Sequence, residues 1–388
     1  MLQVGLEIVV HDQSMSFPGQ RIGYLSNQAS TTREFIHGRI LLQQKYGARL
    51  TCLFSPQHGF FSEKQDNMIE SDHIIDAVTG LPIYSLYGEH RKPTTEMFDQ
   101  LDVLLIDLVD VGTRVYTFLY TMAYCLEMAA KLGKKVVVLD RPNPIGGETI
   151  EGNLLQADCN SFVGLYPLPM RHGLTFGELA LFINKEFGIG AELEVVALKG
   201  WSRSMLFRDT GFPWVCPSPN MPTPETALVY PGQVIWEGTN VSEGRGTTLP
   251  FEYVGAPYWR HAPMIEMLKK TELPGCHLRP IVFEPTSGKC AGEACYGFQI
   301  HVANPQTFLS YRTSLALLQA TILLYPENFQ YKKPPYEYEF ERLPMDLILG
   351  DRNVRNQLED GRPILAIEED WQDDLQAFNR TRKKYFLY

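Results

Sequence analysis

Polar side chains follow five successive apolar segments in the first half of the chain, at the point where each segment ends. Carboxylates of this kind can act as general acid and general base, while histidine, asparagine and arginine can bind the polar groups of a substrate. Five such endings in succession indicate a shared binding edge rather than a series of ordinary polar loops. The residues concerned are Asn27, Gln57 with His58, Glu89, Asp107 with Asp110, and Asp140 with Arg141.

The segments that carry these residues are short and almost continuously apolar, and helical patterns at 32–46 and 118–132 lie between them. This alternation is typical of a mostly parallel sheet that helices cover on both faces. Ligands of such sheets bind outside the carboxyl ends of the strands. We therefore predict an α/β fold with a Rossmann-like, doubly wound sheet. Its predicted strands are 21–27, 50–54, 81–87, 102–106, 136–139 and 193–198.

Sequence signatures exclude several familiar kinds of site at this edge. The first strand is followed by Asn27-Gln28-Ala29-Ser30, where a dinucleotide-binding fold carries Gly-x-Gly-x-x-Gly. Neither the phosphate-binding Gly-x-x-x-x-Gly-Lys-Ser/Thr motif nor the serine-hydrolase Gly-x-Ser-x-Gly motif occurs in the chain. We therefore expect no cofactor.

Composition limits the partners that the protein can have. The chain has 388 residues, of which 44% are hydrophobic, and its 35 Lys and Arg against 45 Asp and Glu give a net charge of −10. It lacks the surplus of cations that binding to nucleic acid or an anionic membrane requires, and no apolar stretch approaches the roughly 18 residues of a membrane span.

The N-terminal residues show no signal-peptide pattern, so we expect a cytoplasmic protein. The seven cysteines form no Cys-x-x-Cys pair, which argues against a disulfide framework and a metal site.

Chain length and a change of composition along the sequence predict two domains. From 214 to 250 the chain is rich in Pro, Gly and Asn and carries short polar motifs, and beyond this stretch the pattern is that of a smaller α+β unit. We predict domains of residues 1–250 and 251–388. The tyrosine-rich stretch 331–338 either lines a cleft or caps the core. The predicted elements of the smaller unit are strands at 281–283 and 296–302 and helices at 308–324 and 346–358.

Several longer motifs occur in order along nearly the whole chain. They are Ser55-Pro56-Gln57-His58-Gly59-Phe60, Tyr84-Ser85-Leu86-Tyr87-Gly88-Glu89, Asp107-Leu108-Val109-Asp110-Val111-Gly112, Leu139-Asp140-Arg141-Pro142-Asn143-Pro144, Pro169-Met170-Arg171-His172-Gly173, Pro217-Ser218-Pro219-Asn220-Met221-Pro222 and Glu237-Gly238-Thr239-Asn240. Taken together and in this order, the motifs resemble those of the NamZ-type exo-β-N-acetylmuramidases.

The resemblance implies a glycosidase that removes terminal N-acetylmuramic acid from the non-reducing end of peptidoglycan fragments. It also implies a Rossmann-like domain, a smaller second domain, a cleft between them, and a small anionic saccharide as substrate. One departure is that the family usually reads Glu-His-Gly where this chain has Gln57-His58-Gly59, so an active chain cannot depend on a carboxylate there. Many relatives are exported, which leaves work on the cell wall and turnover of internalised fragments as alternatives.

Glycoside hydrolysis usually needs an acid that protonates the leaving oxygen and a second carboxylate that acts as base or nucleophile. We predict Glu89 as the acid, because it follows an apolar strand beside Tyr87 and Gly88 and family members carry a glutamate in this motif. An apolar, aromatic setting would raise its pKa toward the working pH. Its alternative role is that of an acid before the helix that begins near Thr94. The candidates for the second carboxylate are Asp110, Glu243 and Glu237.

The lactyl group of N-acetylmuramic acid carries a carboxylate, which a planar guanidinium binds well through two parallel hydrogen bonds. Arg91, Arg171 and Arg245 are the candidates for this contact. Asparagine side chains could bind the acetamide group, and histidines could bind sugar hydroxyls. The remaining substrate-binding candidates are Asn220 and Asn240 for the acetamide, His58 and His172 for the hydroxyls, and Asn27 and Tyr116 from the edge and the motifs.

Two other classes of function compete with hydrolysis by paired carboxylates. A muropeptide-binding or other carbohydrate-binding protein that has lost catalysis would fit the departure at Gln57. A metal-assisted hydrolase would use Asp107, Asp110, His58 and His172, although no His-x-x-x-His or Asp-x-His motif supports it.

Overall fold

A computed structural model of the chain describes residues 2–66 and 68–388. The strands of its larger sheet are β1 (Ile22–Ser26), β2 (Leu50–Ser55), β3 (Ile74–Ile75), β4 (Pro82–Ser85), β5 (Val103–Asp107), β6 (Lys135–Leu139) and β7 (Glu192–Val196). Their order in the sheet is β3-β4-β2-β1-β5-β6-β7. All neighbouring strands run parallel except β3 and β4, which pair antiparallel at one edge. The predicted α/β fold with a mostly parallel sheet is therefore confirmed.

Strand β1 lies in the interior of this sheet. The strands that follow it in sequence are added first on one side of β1 and then on the other. Strands β2 and β4 follow on one side, whereas β5, β6 and β7 follow on the other. The carboxyl ends of β1 and β5 therefore flank the crevice where ligands bind in sheets of this type. Every residue of both strands is buried, as expected for strands that helices cover on both faces.

Helices cover the two faces in pairs. Their bounds are α1 (Gly5–His11), α2 (Gly38–Tyr46), α3 (Thr95–Phe98), α4 (Phe118–Leu132), α5 (Phe176–Glu186) and α6 (Phe207–Thr210). Helices α1 and α2 pack on one face, against Val103 and Leu105 of β5, whereas α4 and α5 pack on the other, against Leu104 and Ile106. This division follows from the alternation of side chains along a strand. A capping box between Thr175 and Glu178 begins α5.

The helix predicted over 32–46 is shorter than expected, since α2 begins only at Gly38. The preceding residues form a small loop in which the Thr32 N–H donates to the Ile36 carbonyl (2.9 Å). Nδ1 of His37 then accepts from the Arg39 N–H (3.1 Å) and caps the helix. Gly38 is required at this point because any Cβ would collide with the hydroxyl of Tyr24.

The second half of the chain forms a smaller α+β unit, as predicted. Its three strands, β8 (Tyr253–Ala256), β9 (Cys276–Phe283) and β10 (Cys295–Val302), form an antiparallel sheet in the order β8-β10-β9. A single cluster of buried apolar side chains continues from the first sheet into this unit. The predicted boundary near residue 250 stays a prediction. The helices are α7 (Pro224–Gln233), α8 (His261–Leu268), α9 (Ser310–Leu324), α10 (Pro344–Leu349), α11 (Arg352–Glu359), α12 (Ile364–Glu369) and α13 (Gln372–Arg382).

The helix predicted over 346–358 is divided into α10 and α11. Gly350 separates them with a φ of +73°, a left-handed conformation that costs glycine little. A Cβ at this position would also lie 2.6 Å from Nη1 of Arg114, whose guanidinium donates to the carbonyls of Ile348 (2.9 Å) and Leu349 (2.8 Å). The buried arginine therefore binds the end of α10 and stops the helix there.

In the part of the chain that the structure describes, no helix combines the length and the apolar character needed to cross a bilayer.

Candidate active site

A cavity that opens to solvent lies between loops at the edge of the larger sheet and loops of the second half of the chain. Apolar side chains such as Val115, Phe118 and Met221 form part of its wall. A concave site with convergent polar groups is the usual form of a small-ligand site. The polar residues that line it are Gln57, His58, Tyr116, Thr117, Ser218, Asn220, Tyr230, Glu237, Arg245, Tyr336 and Glu337.

A tight turn of the second half of the chain places Glu337 in this cavity. Tyr336 and Glu339 close the turn with two backbone hydrogen bonds (2.9 and 3.0 Å). The two central residues, Glu337 and Tyr338, have φ values of +46° and +65°. Asparagine and glycine are preferred at such positions, and each larger residue there costs about 1–3 kcal/mol. Strained backbone of this kind is concentrated at functional sites.

The carboxyl group of Glu337 is buried and held by neutral groups. The hydroxyl of Tyr87 donates to Oε2 (2.6 Å), and the amide of Gln57 donates to Oε1 (3.1 Å). The hydroxyl of Thr117 in turn donates to the amide oxygen of Gln57 (2.6 Å) and orients the amide. Burial, with the negative charge of Glu237 nearby, raises the pKa of Glu337 to about 7. Glu337 can therefore be protonated at neutral pH, as a general acid must be.

Glu237, the second carboxylate of the cavity, is held by a cation. One oxygen accepts from the guanidinium of Arg245 (2.6 Å), and the other accepts from the hydroxyl of Tyr336 (2.8 Å). Arg245 also lies 3.5 Å from Glu243, which forms an ion pair with Lys289 (2.6 Å). The two acids of the cavity therefore have different partners, since neutral groups hold Glu337 and a guanidinium and a hydroxyl hold Glu237.

Four of the predicted substrate-binding residues line the cavity, namely His58, Tyr116, Asn220 and Arg245. Nδ1 of His58 binds the Lys64 carbonyl (2.8 Å), and burial lowers the pKa of His58 to about 4. Its ring is therefore neutral at pH 7, and Nε2 can accept a hydrogen bond from a sugar hydroxyl. The amide of Asn220 is fixed by two hydrogen bonds with Gln65 (both 3.1 Å).

Of the four predicted catalytic acids, Glu237 lines the cavity, whereas Glu89, Asp110 and Glu243 do not. The expected apolar setting of Glu89 is wrong, because its side chain is 85% exposed. Asp110 is buried outside the cavity, and its carboxyl group accepts from the Gly112 N–H (2.7 Å). Burial raises the pKa of Asp110 to about 7. Glu243 lies behind Arg245 and carries the ion pair with Lys289. The catalytic roles of these last three acids stay predictions that the cavity does not favour.

The remaining candidates also lie outside the cavity. Arg91 stacks on the ring of Tyr338, with its guanidinium carbon 3.0 Å from the ring centre. Asn27 donates to the carbonyls of Val109 (3.4 Å) and Pro217 (3.3 Å) and so ties a loop to the end of β1. Asn240 lies in an open groove elsewhere, where its side chain binds Asn328, Gln330 and Tyr258.

Arg171 and His172 are fully enclosed. The guanidinium of Arg171 donates to the Ile145 carbonyl, and burial lowers its pKa to about 10. Nδ1 of His172 accepts from the Leu174 N–H (3.2 Å), and burial lowers the pKa of His172 to about 3. Neither residue reaches the cavity that Arg245 and His58 line, so both hold the loop before α5.

The four residues of the metal-assisted alternative are not gathered around one point. Asp107 forms a buried ion pair with Arg141 (2.6 Å), and only His58 of the four lines the cavity. Within residues 2–66 and 68–388, no group of three or more His, Cys, Asp or Glu side chains is placed to hold a metal ion.

The main residues that the sequence did not single out are Glu337, Tyr336, Tyr87 and Thr117. The stretch 331–338 is rich in tyrosine and was open to two interpretations, a cleft lining or a cap of the core. The structure shows that Tyr336 and Glu337 line the cavity. Two non-glycine residues with positive φ leave no signature in sequence, so no pattern pointed to Glu337 itself.

Family models match both halves of the chain. The model described as Exo-beta-N-acetylmuramidase NamZ, N-terminal, matches residues 22–225, and the corresponding C-terminal model matches residues 228–388. The chain belongs to the NamZ exo-β-N-acetylmuramidase family. Its resemblance to that family, inferred from the motifs, is thereby confirmed.

Individual relatives extend over the whole chain of this NamZ family member. Peptidoglycan beta-N-acetylmuramidase NamZ from Bacillus subtilis (strain 168) is 42% identical over 387 residues, which cover 100% of this chain and 91% of that protein. A crystal structure of a DUF1343 family protein from Bacteroides fragilis NCTC 9343 has a TM-score of 0.89 at 32% identity, and a second has 0.76 at 28%. Both cover 100% of this chain and are themselves covered to 99%. Gln57, the residue at which this chain departs from the family motif, lines the cavity, and its amide contacts Glu337.

Proposed function

We propose that the chain is an exo-β-N-acetylmuramidase that releases N-acetylmuramic acid from the non-reducing end of peptidoglycan fragments. One observation carries the proposal: two buried carboxyl groups, Glu337 and Glu237, line one cavity and are held by different partners. Pairs of titratable groups with such different surroundings are typical of acid and base assignments in hydrolases. Membership of the family and the name of the Bacillus subtilis relative support the choice of substrate.

In the proposed reaction, Glu337 donates its proton to the glycosidic oxygen while the bond from this oxygen to C1 breaks. The carboxylate of Glu237 stabilises the positive charge that develops at C1 and acts as the base or the nucleophile. Arg245 and Tyr336 keep this carboxylate oriented. Water completes the hydrolysis and returns a proton to Glu337.

Recognition of the sugar falls to the other polar groups of the cavity. Among the described residues, Arg245 is the arginine that lines it, and a guanidinium suits the lactyl carboxylate of the substrate. Asn220 and His58 are placed to bind the acetamide and a ring hydroxyl. The substrate is therefore a small anionic muropeptide-type saccharide whose charge is met locally, although the chain as a whole carries −10.

The test is release of N-acetylmuramic acid from a disaccharide of N-acetylmuramic acid and N-acetylglucosamine. We expect Glu337→Gln to lower kcat by about 10²–10⁴, the contribution typical of a general acid. Glu341→Gln is the matched control, because Glu341 is exposed in the same segment. Unchanged turnover in Glu337→Gln, with its circular dichroism spectrum intact, would remove Glu337 from the mechanism.

A second candidate function is binding of muropeptides without hydrolysis, and the position of Gln57 inside the cavity favours it. In that case calorimetry would detect binding of the disaccharide while no product forms. Gln57→Glu separates the two functions. Product formation by the unaltered chain supports the hydrolase, whereas turnover that appears only in Gln57→Glu supports the binding protein.

A further inference from the structure

Two cysteines lie close together in the connection between β9 and β10. Cys295 is the first residue of β10 and pairs with Phe283 of β9. The chain turns back between the two cysteines, since the Glu293 N–H donates to the Cys290 carbonyl (3.0 Å). The Gly292 N–H donates to the Pro285 carbonyl (2.9 Å) and closes the connection. The turn therefore brings residue 290 next to the start of β10.

Both cysteines lie near Tyr258, because the Tyr258 hydroxyl donates to the side chain of Asn240 (3.1 Å), which Cys290 contacts, and Cys295 precedes Tyr296, which pairs with Ala256 of β8. Cys290 lines an open groove beside Asn240, whose carbonyl lies 3.9 Å from its sulfur. Cys295 is fully buried. One thiol is thus open to a small oxidant, and a second thiol lies behind it, an arrangement typical of redox-active pairs.

The electrostatic surroundings favour Cys290 as the thiol that reacts first. The neighbouring Cys295 thiol, with the charge of Lys289, lowers the pKa of Cys290, whereas the interaction between the two thiols raises the pKa of Cys295. The thiolate is the form of cysteine that attacks an oxidant. Cys276 is also partly exposed, but its sulfur contacts the Leu273 carbonyl and the Thr313 hydroxyl.

We propose that Cys290 and Cys295 are a modification site that forms a reversible disulfide on oxidation by a peroxide. The Cys290 thiolate attacks one oxygen of hydrogen peroxide, the O–O bond breaks, and a sulfenic acid and hydroxide form. The sulfur of Cys295 then attacks the sulfur of Cys290, the S–O bond breaks, and the second hydroxide leaves. The two thiol protons convert both hydroxides to water, and the two electrons lost by the sulfurs reduce the peroxide.

The connection that holds these thiols also supports the wall of the cavity described above. Lys289 donates to the carbonyls of Trp236 (2.6 Å) and Val241 (3.0 Å) and forms the ion pair with Glu243 (2.6 Å). A disulfide at Cys290 would fix the residue next to this lysine. The proposal is nevertheless independent of the reaction that the cavity performs.

The test counts free thiols in the full-length protein. The protein is treated with hydrogen peroxide, unfolded in N-ethylmaleimide and digested with trypsin, which yields peptide 290–312 with both cysteines and peptide 271–289 with Cys276 alone. We expect peptide 290–312 to lose both labels and two hydrogen atoms, and to regain both labels after dithiothreitol. Cys276 should keep its label at the same dose.

Single variants identify the order of the steps. In Cys295→Ser the sulfenic acid cannot be resolved, so dimedone should trap it on Cys290. In Cys290→Ser neither the dimedone adduct nor the loss of two hydrogen atoms should occur. Two labels that persist on peptide 290–312 in a molar excess of peroxide, together with no dimedone adduct in Cys295→Ser, would overturn the proposal.

Discussion

Glu337 and Glu237 are residues of one type with different chemical surroundings. Glu337 receives hydrogen bonds from neutral groups, the hydroxyl of Tyr87 and the amide of Gln57, whereas Glu237 contacts the guanidinium of Arg245. A buried neutral setting favours the protonated carboxyl, and an adjacent cation favours the carboxylate. Acid and base roles therefore follow from the neighbours and not from the residue type.

The pH dependence of kcat/KM should report the pKa of Glu337. Because burial raises this pKa to about 7 and the reaction needs the protonated form, activity should fall as the pH rises through about 7. Tyr87→Phe removes a hydrogen bond that lowers the pKa, so its activity should persist to higher pH. Tyr84→Phe is the control, since Tyr84 packs on Phe54 outside the cavity. An identical alkaline limb in Tyr87→Phe would argue against Glu337 as the titrating acid.

The turn at Tyr336–Glu339 keeps its strained conformation because residues of the loops before β3 and after β4 hold Tyr338. The guanidinium of Arg91 lies over the ring of Tyr338, and Glu70 accepts from the Tyr338 hydroxyl (3.2 Å). Arg91, which we predicted to bind substrate, is thus placed to position the turn. Its effect on catalysis would act through the placement of Glu337.

Arg91→Ala should lower kcat by about tenfold and leave KM nearly unchanged, because small displacements of a catalytic group cost rate rather than binding. Arg91→Lys should recover part of the loss, since an ammonium group also binds an aromatic ring. Lys92→Ala is the control, because Lys92 makes the same kind of contact with the ring of Tyr124 and not with that of Tyr338. A rise in KM without a fall in kcat would instead indicate the substrate-binding role.

The sequence predicted those parts of the site that follow from local patterns of apolar and polar residues. Apolar runs located the strands, and the polar ending of β2 placed His58 in the cavity. Glu337 was missed because its contact with Gln57 joins residues 280 positions apart. Glu89 was preferred because it ends a strand, but a sequence pattern does not show whether the chain then turns outward.

The last residues of the chain return to the larger sheet and bind it. The hydroxyl of Tyr388 donates to the buried carboxylate of Asp140 (2.7 Å) and accepts from the Leu198 N–H (2.5 Å). Arg382 donates to the carbonyls of Gly147 (3.0 Å) and Gly173 (2.9 Å). The C-terminal segment thereby fastens the smaller unit to the ends of β6 and β7.

Tyr388→Phe should lower the free energy of unfolding by about 1–3 kcal/mol at pH 7, because it removes a hydrogen bond from a buried carboxylate. Burial raises the pKa of Asp140 to about 6, so this group is ionised above that pH and protonated below it. The loss should therefore shrink as the pH falls through about 6, which urea unfolding at several pH values would reveal. Tyr385→Phe is the control, since the Tyr385 hydroxyl binds Glu186 at the surface. An equal loss for both variants, or one that does not change with pH, would contradict the role of Asp140.

The turn that carries Glu337 has a consequence for the protein as it is being made. During synthesis, every strand of the larger sheet and Gln57, Thr117 and Glu237 leave the ribosome before residue 337. A nascent chain that lacks the turn therefore holds only one of the two cavity acids, Glu237. Under the proposed mechanism, the nascent protein cannot hydrolyse glycan until residue 337 has left the ribosome.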